Sequence, residues 1–407
     1  MTHPRQPPLF GRRIVIACGH FTPELGYQEV DLARAFTRLG AAVRVVTSTA
    51  VSLNARGIVT TGYRAGSTMI EGYEVVRLAP RLTVGANVLG CQAAPATVAF
   101  RPDHVILVGP GKLFGLDLLQ AGPTAWRKLA IIQDNSEDGR FRRCPRWQKL
   151  PRRLVHRVLK RPAYRRVVRR ADRVVLNVPE TRSLVGSWLS PRDRELLSAK
   201  ALELRLGYDP QEFYFDPEGR EDWRSRYGVA RDEILIGTCT RATRAKQLGD
   251  IIRAVSALRA RGRPVRYVLA GLLEHDYSRT LRSLVADQPD PSVFSLLPVL
   301  SHKRMCELFS ACDLGFWSQA AISIQQAMGT GLPVVLHDGP TVSHLVTEGT
   351  NGWYVASGED PGNALSRAVE SLSAGTLEER LERRKALAVL NRRYLSYDRI
   401  AEEMVSP

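Results

Sequence analysis

Trp317-Ser-Gln-Ala-Ala-Ile-Ser-Ile-Gln-Gln-Ala-Met-Gly-Thr-Gly-Leu-Pro-Val-Val335 is the stretch that decides how this chain reads. An apolar run ends at Trp317, and small residues follow. A helical pattern opens near Ile322, closes on Gly329-Thr-Gly331, and gives way after Pro333 to a β-branched run. Strand, turn, helix, turn and strand is the repeating unit of doubly wound parallel sheets. The helix start would aim backbone N–H groups of Ile322, Ser323 and Ile324 outward, where the helix dipole favours an anion such as phosphate. Gln326 lies about one turn further in, placed to hydrogen-bond a ribose diol.

The same alternation extends in both directions. Strand-like runs in the first half begin at Ile14, Val43, Val75, Val105, Leu129 and Val174. Those of the second half begin at Ile234, Tyr267, Phe294, Leu314 and Val334. Most are continuously apolar, as strands buried on both faces of a parallel sheet are. Helical patterns fit between them: Val30 to Leu39 with Gly40 as its stop, Ile251 to Arg261, and Lys303 to Ala311. The pattern breaks near residues 200–215, which predicts an α/β fold of two domains, 1–205 and 206–392. A charged amphipathic helical tail covers 376–405.

The bulk numbers agree. A chain of 407 residues with 44% hydrophobic and 24% charged residues supplies two ordinary cores and argues against disorder. Cys18, Cys91, Cys144, Cys239, Cys306 and Cys312 form no CxxC pair and no close Cys/His cluster, so a disulfide framework or zinc site has little support. No stretch reads as a signal peptide or a membrane span, and the expectation is a cytoplasmic protein, soluble or peripheral at the inner face of the membrane. The net charge of +17 suits polyanionic partners. Arginine dominates, with lysine only eight of the 58 cationic side chains, a bias that genome base composition also produces.

The charge concentrates in 140–173, where Asp172 is the single acid and Pro162 breaks or kinks a basic amphipathic helix. Two readings stay open. The segment contacts an anionic bilayer or a lipid-held acceptor, or it is a solvated helix whose apolar side packs on its own domain. No recognition motif accompanies it, so nucleic acid is not the partner.

Two further turns carry chemistry. Gly19-His-Phe-Thr-Pro-Glu-Leu-Gly-Tyr-Gln-Glu29 leads from the first strand through a glycine-bearing loop into a helix N-terminus. His20, Glu24, Gly26 and Tyr27 are its candidate acceptor- or phosphate-loop residues. Gly237-Thr-Cys-Thr-Arg-Ala-Thr-Arg-Ala-Lys246 follows the first strand of the second half. Arg241 and Lys246 on that short loop can grip both phosphates of a diphosphate and stabilise charge on a departing nucleotide.

At these residues the chain resembles the family 4 glycosyltransferases of the GT-B fold. Phe21-Thr-Pro-Glu-Leu-Gly26 is similar to the family's Pro-Glu-Gly-Gly loop, and Gly207-Tyr-Asp-Pro-Gln-Glu-Phe213 to its domain junction. Arg241 and Lys246 match its Arg-x4-Lys pair. Gln326-Ala-Met-Gly-Thr-Gly-Leu-Pro-Val-Val335 and Glu348-Gly-Thr-Asn-Gly-Trp353 match its last two motifs. The resemblance implies two Rossmann-like domains facing a cleft, with a helix at 393–407 crossing back to the first. The first domain would bind acceptor and the second a nucleotide-diphosphate sugar. A hexosyl group would be transferred with retention, with no metal and no cofactor beyond the sugar nucleotide. The acceptor class stays open among polysaccharide, glycolipid and small metabolite, with the basic segment favouring an anionic or lipid-linked one.

The departures bear on the same site. The family's Glu-x7-Glu pair falls on Gln326 and on Ser318, or on Gln319 with a one-residue gap, so both carboxylates are replaced. An amide can still bind ribose, at a loss of about 1–2 kcal/mol. Donor-site expectations are therefore Arg241, Lys246, Ser318, Gln319, Ile322, Ser323, Ile324 and Gln326. Tyr27 replaces a loop glycine. The family's middle histidine has no counterpart, and Asp134 is the catalytic candidate near its place. His20 is read as structural or, alternatively, as the general base of an inverting enzyme. The lost carboxylates also support a second function: a non-catalytic or weakly active GT-B subunit that binds nucleotide or a partner protein.

Overall fold

The computed structural model describes residues 6–52, 55, 59, 62–123, 125–134 and 156–406. The chain divides into two compact units, Met1–Leu206 with Tyr397–Pro407, and Gly207–Ser396.

The first unit is built on strands β1 (Arg13–Cys18), β2 (Ala42–Ser48), β3 (Gly66–Ile70) and β4 (Tyr73–Leu78). A separate hairpin, β5 (Leu82–Val84) and β6 (Asn87–Leu89), follows. Then come β7 (His104–Val108), β8 (Arg127–Ile132), β9 (Arg173–Leu176) and β10 (Ala201–Glu203). The sheet order is β10-β9-β8-β7-β1-β2-β4-β3, parallel except for the edge pair β3–β4. The second unit has β11 (Ile234–Cys239), β12 (Val265–Leu272), β13 (Phe294–Pro298), β14 (Leu314–Trp317), β15 (Val334–His337) and β16 (Gly352–Val355). Their order is β13-β12-β11-β14-β15-β16, parallel throughout.

Burial explains why these runs are apolar without alternation. Successive side chains of a strand point to opposite faces, and both faces are covered. In β1, Ile14 and Ile16 enter one core while Val15 and Ala17 enter the other. In β12, Tyr267 and Leu269 face one helix layer, Val268 and Ala270 the other. Each fully buried aliphatic side chain contributes about 1.5–3 kcal/mol.

Several boundaries differ from the sequence pattern, each for a local reason. The polar stretch after residue 215 is a helix, Pro217–Arg226, because Asp216 caps it by accepting from the Gly219 N–H at 3.0 Å. The tail breaks at Ser396, whose backbone is extended, giving helices Leu377–Leu395 and Tyr397–Val405. The chain returns to the first unit at Tyr397 rather than at 393. At Pro162 the helix changes type, as expected of a break: a π-helical turn, His156–Lys160, gives way to helix Arg161–Arg170, with Pro162 in the first turn of the latter. Tyr164, Val167 and Val168 of that helix are buried in the core of the first unit. Its apolar side is thus spent within the unit, and Arg165 and Arg169 of the other side pair with the buried Asp193 at 3.3 and 2.6 Å. Residues 140–155 of the basic segment lie outside the described residues. Among the described residues no helix is long and apolar enough to cross a membrane.

A buried charge cluster fastens the second unit. Helix His302–Ala311 ends inside the unit, and its last carbonyls need donors. Arg220 donates to Ser310 and Ala311 at 3.1 and 2.8 Å, Arg224 to Ala311 at 3.2 Å, and Arg384 to Phe309 and Cys312. Asp313 accepts from Arg220 at 2.7 Å, Arg224 at 3.0 Å and the Leu235 N–H at 2.9 Å. Burial pushes the Asp313 carboxyl up, but the two guanidinium groups bring it below its ordinary value. Removing one partner of such a cluster strands buried charge. Asp313→Ala is expected to cost about 3–5 kcal/mol of stability, read from urea denaturation midpoints.

Candidate functional site

In the second unit the chain runs from β11 outward through β12 and β13, then returns to place β14 on β11's other side. The switch between β11 and β14 leaves a crevice at their carboxyl ends, the usual ligand site of an open α/β sheet. The two turns singled out in the sequence lie there. The first carries Arg241 and Lys246 and leads into helix Leu248–Ala260; the second carries Ser318 and Gln319 and leads into helix Ile322–Gly329.

These turns are tied to each other. Thr238 Oγ1 donates to the Phe316 carbonyl at 2.8 Å. Trp317 Nε1 donates to the Cys239 carbonyl at 3.2 Å, and Ser323 Oγ to the same carbonyl at 2.6 Å. Lys246 Nζ donates to the Ala320 carbonyl at 3.0 Å, and Ser318 Oγ donates to the Lys246 carbonyl. The Lys246 ammonium is thereby held at the mouth of the second turn, beside the start of helix Ile322–Gly329. Ala321, the residue before that helix, gives no side-chain acceptor to its first N–H groups. Cation and helix start therefore converge on one place that suits a phosphate.

Side-chain placement sorts the other expected residues. Ser323 and Ile324 are buried, and the Ile324 N–H donates to the Ala321 carbonyl at 3.1 Å instead of pointing outward as the sequence led one to expect. Arg241, Ser318, Gln319 and Ile322 are half-buried. Gln326 is 2% exposed, inside the unit one turn into the helix. Gly271 went unremarked in the sequence. Its φ is +112°, and a Cβ there would sit 2.1 Å from the Thr240 carbonyl oxygen. The turn is laced onto β12 by Thr240 N–H to the Ala270 carbonyl and Ala242 N–H to the Gly271 carbonyl, both 3.0 Å. An invisible side chain is thus a condition for where Arg241 stands.

The first unit has its own switch, between β1 and β7. Gly19, at the end of β1, is held by Ser48 Oγ, which donates to its carbonyl at 2.5 Å. Arg77 donates to the Phe21 carbonyl at 3.1 Å and lies 3.6 Å from the Tyr63 ring centroid. Glu24 accepts from Tyr63 OH at 2.9 Å. Gly26 is left-handed, φ 53°, and Tyr27 precedes helix Gln28–Arg38 in extended conformation. Tyr27 therefore stands in this loop without backbone strain. His20 is 6% exposed, and among the described residues its Nε2 meets no hydrogen-bond partner. Burial and then the Lys112 charge lower the imidazole to about 4. Asp134, beyond β8, accepts from Lys160 at 3.1 Å and from Tyr164 OH, and its carbonyl accepts from Thr181 at 3.0 Å.

Comparison with known proteins follows these lines. Residues 219–388, inside the second unit, match the family model described as Glycosyl transferases group 1. No curated protein matches in sequence. Among solved structures, the chain is similar to a sucrose-phosphate synthase from Thermosynechococcus elongatus at 15% identity, covering 97% of each chain with a TM-score of 0.66. The Anabaena protein HepE, solved in complex with UDP, is 17% identical over 96% of this chain and 98% of its own, with a TM-score of 0.67. The catalytic domain of starch synthase IV from Arabidopsis thaliana, bound to ADP and acarbose, is 13% identical over 97% and 98%, with a TM-score of 0.64. At these identities the likeness speaks to the fold, which is GT-B with two Rossmann-like units. Family match and fold together support a glycosyltransferase.

Gly271→Ala is expected to destabilise the protein by on the order of 2 kcal/mol, measured by urea denaturation. His20 gives a pH prediction. Its folded pKa lies below the ordinary 6.5, so the unfolded chain binds the proton first, and stability falls as pH drops from about 6.5 towards 4. His20→Gln should flatten that part of the stability–pH curve, followed by thermal denaturation.

Proposed function

We propose that this protein transfers a sugar, of hexosyl type, from a nucleotide-diphosphate donor to an acceptor, with retention of anomeric configuration and no metal ion. The observation that carries the reading is the Lys246–Ala320 hydrogen bond of 3.0 Å, which sets a cation against the start of helix Ile322–Gly329 at the switch point of the second unit. In this reading Arg241, Lys246 and the N–H groups of Ile322 and Ser323 hold the diphosphate, while the Ile324 N–H closes the turn on the Ala321 carbonyl at 3.1 Å. They also stabilise the charge left on it when the sugar departs. Gln326 binds ribose, and Ser318 and Gln319 lie towards the sugar. The relatives solved with UDP or ADP give the precedent for the donor class.

The first unit binds the acceptor, with His20, Glu24, Gly26 and Tyr27 on its loop. Asp134, fixed by Lys160 and Tyr164, acts in that unit. An anionic or lipid-linked acceptor accords with the net charge of +17 and with the arginine face of helix Arg161–Arg170. In this reading the same face supports peripheral contact with an anionic membrane on the cytoplasmic side. The apolar side of that helix packs in the core, so the attraction is electrostatic, with the exposed Val158 and Leu159 just before it as apolar contacts.

One observation favours the second reading, a nucleotide-binding subunit with little or no transfer. In the family resemblance Gln326 and either Ser318 or Gln319 stand in place of the two carboxylates, and Ser318 Oγ is engaged with the Lys246 carbonyl.

UDP-, GDP-, TDP- and ADP-sugars should be screened by thermal denaturation. A cognate donor at a hundredfold excess over its dissociation constant adds about 2.7 kcal/mol. Arg241→Ala or Lys246→Ala should weaken it about 10- to 100-fold, the value of one charge-assisted contact. No stabilisation by any of them would remove the donor site. Where one binds, product NMR decides the rest. A retained anomer formed equally well with EDTA supports transfer as described, and binding without turnover favours the subunit reading.

A further inference from the structure

The switch point of the first unit carries polar groups that its fold does not use. His20 follows β1 and is 6% exposed, yet among the described residues its Nε2 has no partner. A buried ring nitrogen left unpaired is costly, and such groups are normally satisfied. Lys112 follows β7, the neighbouring strand. It is half-buried, and among the described residues its ammonium makes no hydrogen bond or ion pair. Its charge reaches His20, Glu29 and Cys18.

The backbone is shaped to place this lysine. Val108-Gly-Pro-Gly-Lys112 turns sharply, with Gly109 left-handed at φ 64° and the Lys112 N–H donating to the Gly109 carbonyl at 2.9 Å. A Cβ on Gly109 would lie 3.3 Å from Gln133 Oε1 and 3.6 Å from the Lys112 stem. A Cβ on Gly111 would collide with Tyr164 OH at 2.2 Å. The Asp134–Tyr164 pair is therefore the floor on which the turn rests. Glu29, buried in the helix that follows the β1 loop, feels the Lys112 charge without pairing with it among the described residues; burial pushes it above its ordinary value despite that charge, and Asp134, beside Gly111, is taken up by Lys160 and Tyr164. Glu29 is a weak counter-ion, which leaves the lysine charge to be met by a ligand.

We infer that Lys112 and His20 bind an anionic group of the acceptor, a phosphate or carboxylate, at the carboxyl ends of β1 and β7. The inference rests on the acceptor role proposed for this unit and narrows the acceptor to an acidic one. His20 supplies a neutral ring N–H and Lys112 the charge.

The test uses the full chain carrying Arg241→Ala and Lys246→Ala, so that the second unit's site is silent. Inorganic phosphate and hexose 6-phosphate are titrated while the His20 ring is followed by 15N NMR. The expected result is a saturable shift of the His20 signal. Lys112→Gln should weaken it about tenfold or more, and Lys112→Arg should preserve it. An unmoved His20 signal, or equal binding by a folded Lys112→Gln, overturns the inference. Vesicles of phosphatidylglycerol, set against phosphatidylcholine, separate the sources. A response to hexose phosphate assigns a soluble acid, and a response to anionic vesicles alone assigns a lipid headgroup. UDP binding by the unsubstituted protein, measured in parallel, tells failure here from failure of the donor site.

Discussion

The Cys239 carbonyl, at the end of β11, accepts from both Trp317 Nε1 and Ser323 Oγ. It joins the turn after β11 to the turn after β14, and the rest of the site depends on that junction. With the turns joined, Lys246 can reach the Ala320 carbonyl and Ser318 can reach back to Lys246. Without it, a cation and a helix start would be two unrelated surface features. Each hydrogen bond contributes only about 1 kcal/mol. Their joint effect is positional: they fix where positive charge stands before any ligand arrives, so little reorganisation remains to be done on binding.

That preorganisation needs a rigid base. It comes from sheet strands buried on both faces and from the arginine cluster at the end of helix His302–Ala311. Three guanidinium groups share the carbonyls of one helix terminus, and two of them, Arg220 and Arg224, also bind the Asp313 carboxylate. Arg384 belongs to helix Leu377–Leu395, whose buried face carries Arg384, Leu387, Asn391 and Leu395. The long tail helix is therefore attached by polar groups as much as by apolar ones.

The fold was legible because its signal is periodic. Every continuous apolar run marked a strand, since parallel strands covered on both faces admit little else. β3, β5, β6, β10 and β16 escaped for the converse reason. They are short or lie at edges; β3 is nearly all exposed, and β10 spans only Ala201–Glu203. The site was legible where chemistry needs particular side chains, as with Arg241 and Lys246. It was not legible where geometry needs the absence of one. Gly271 looks like any strand glycine until the Thr240 carbonyl is placed against it. Gly109 and Gly111 hide the Lys112 turn in the same way, and no spacing rule pairs Lys112 with His20 across so many residues. The basic helix shows the opposite failure: its amphipathic pattern was visible, but pattern alone does not say whether the apolar side meets a bilayer or the protein's own core.

Hydrogen exchange of the backbone amides, compared with and without a nucleoside diphosphate, tests the central claim most directly. The turns at 240–247 and 320–326 are separate in sequence and joined only by the contacts described. Protection appearing together in both turns, and lost from both in Lys246→Ala, is the result expected. Protection of one turn alone, or of neither while nucleotide is bound elsewhere, would contradict a diphosphate site at the β11–β14 switch.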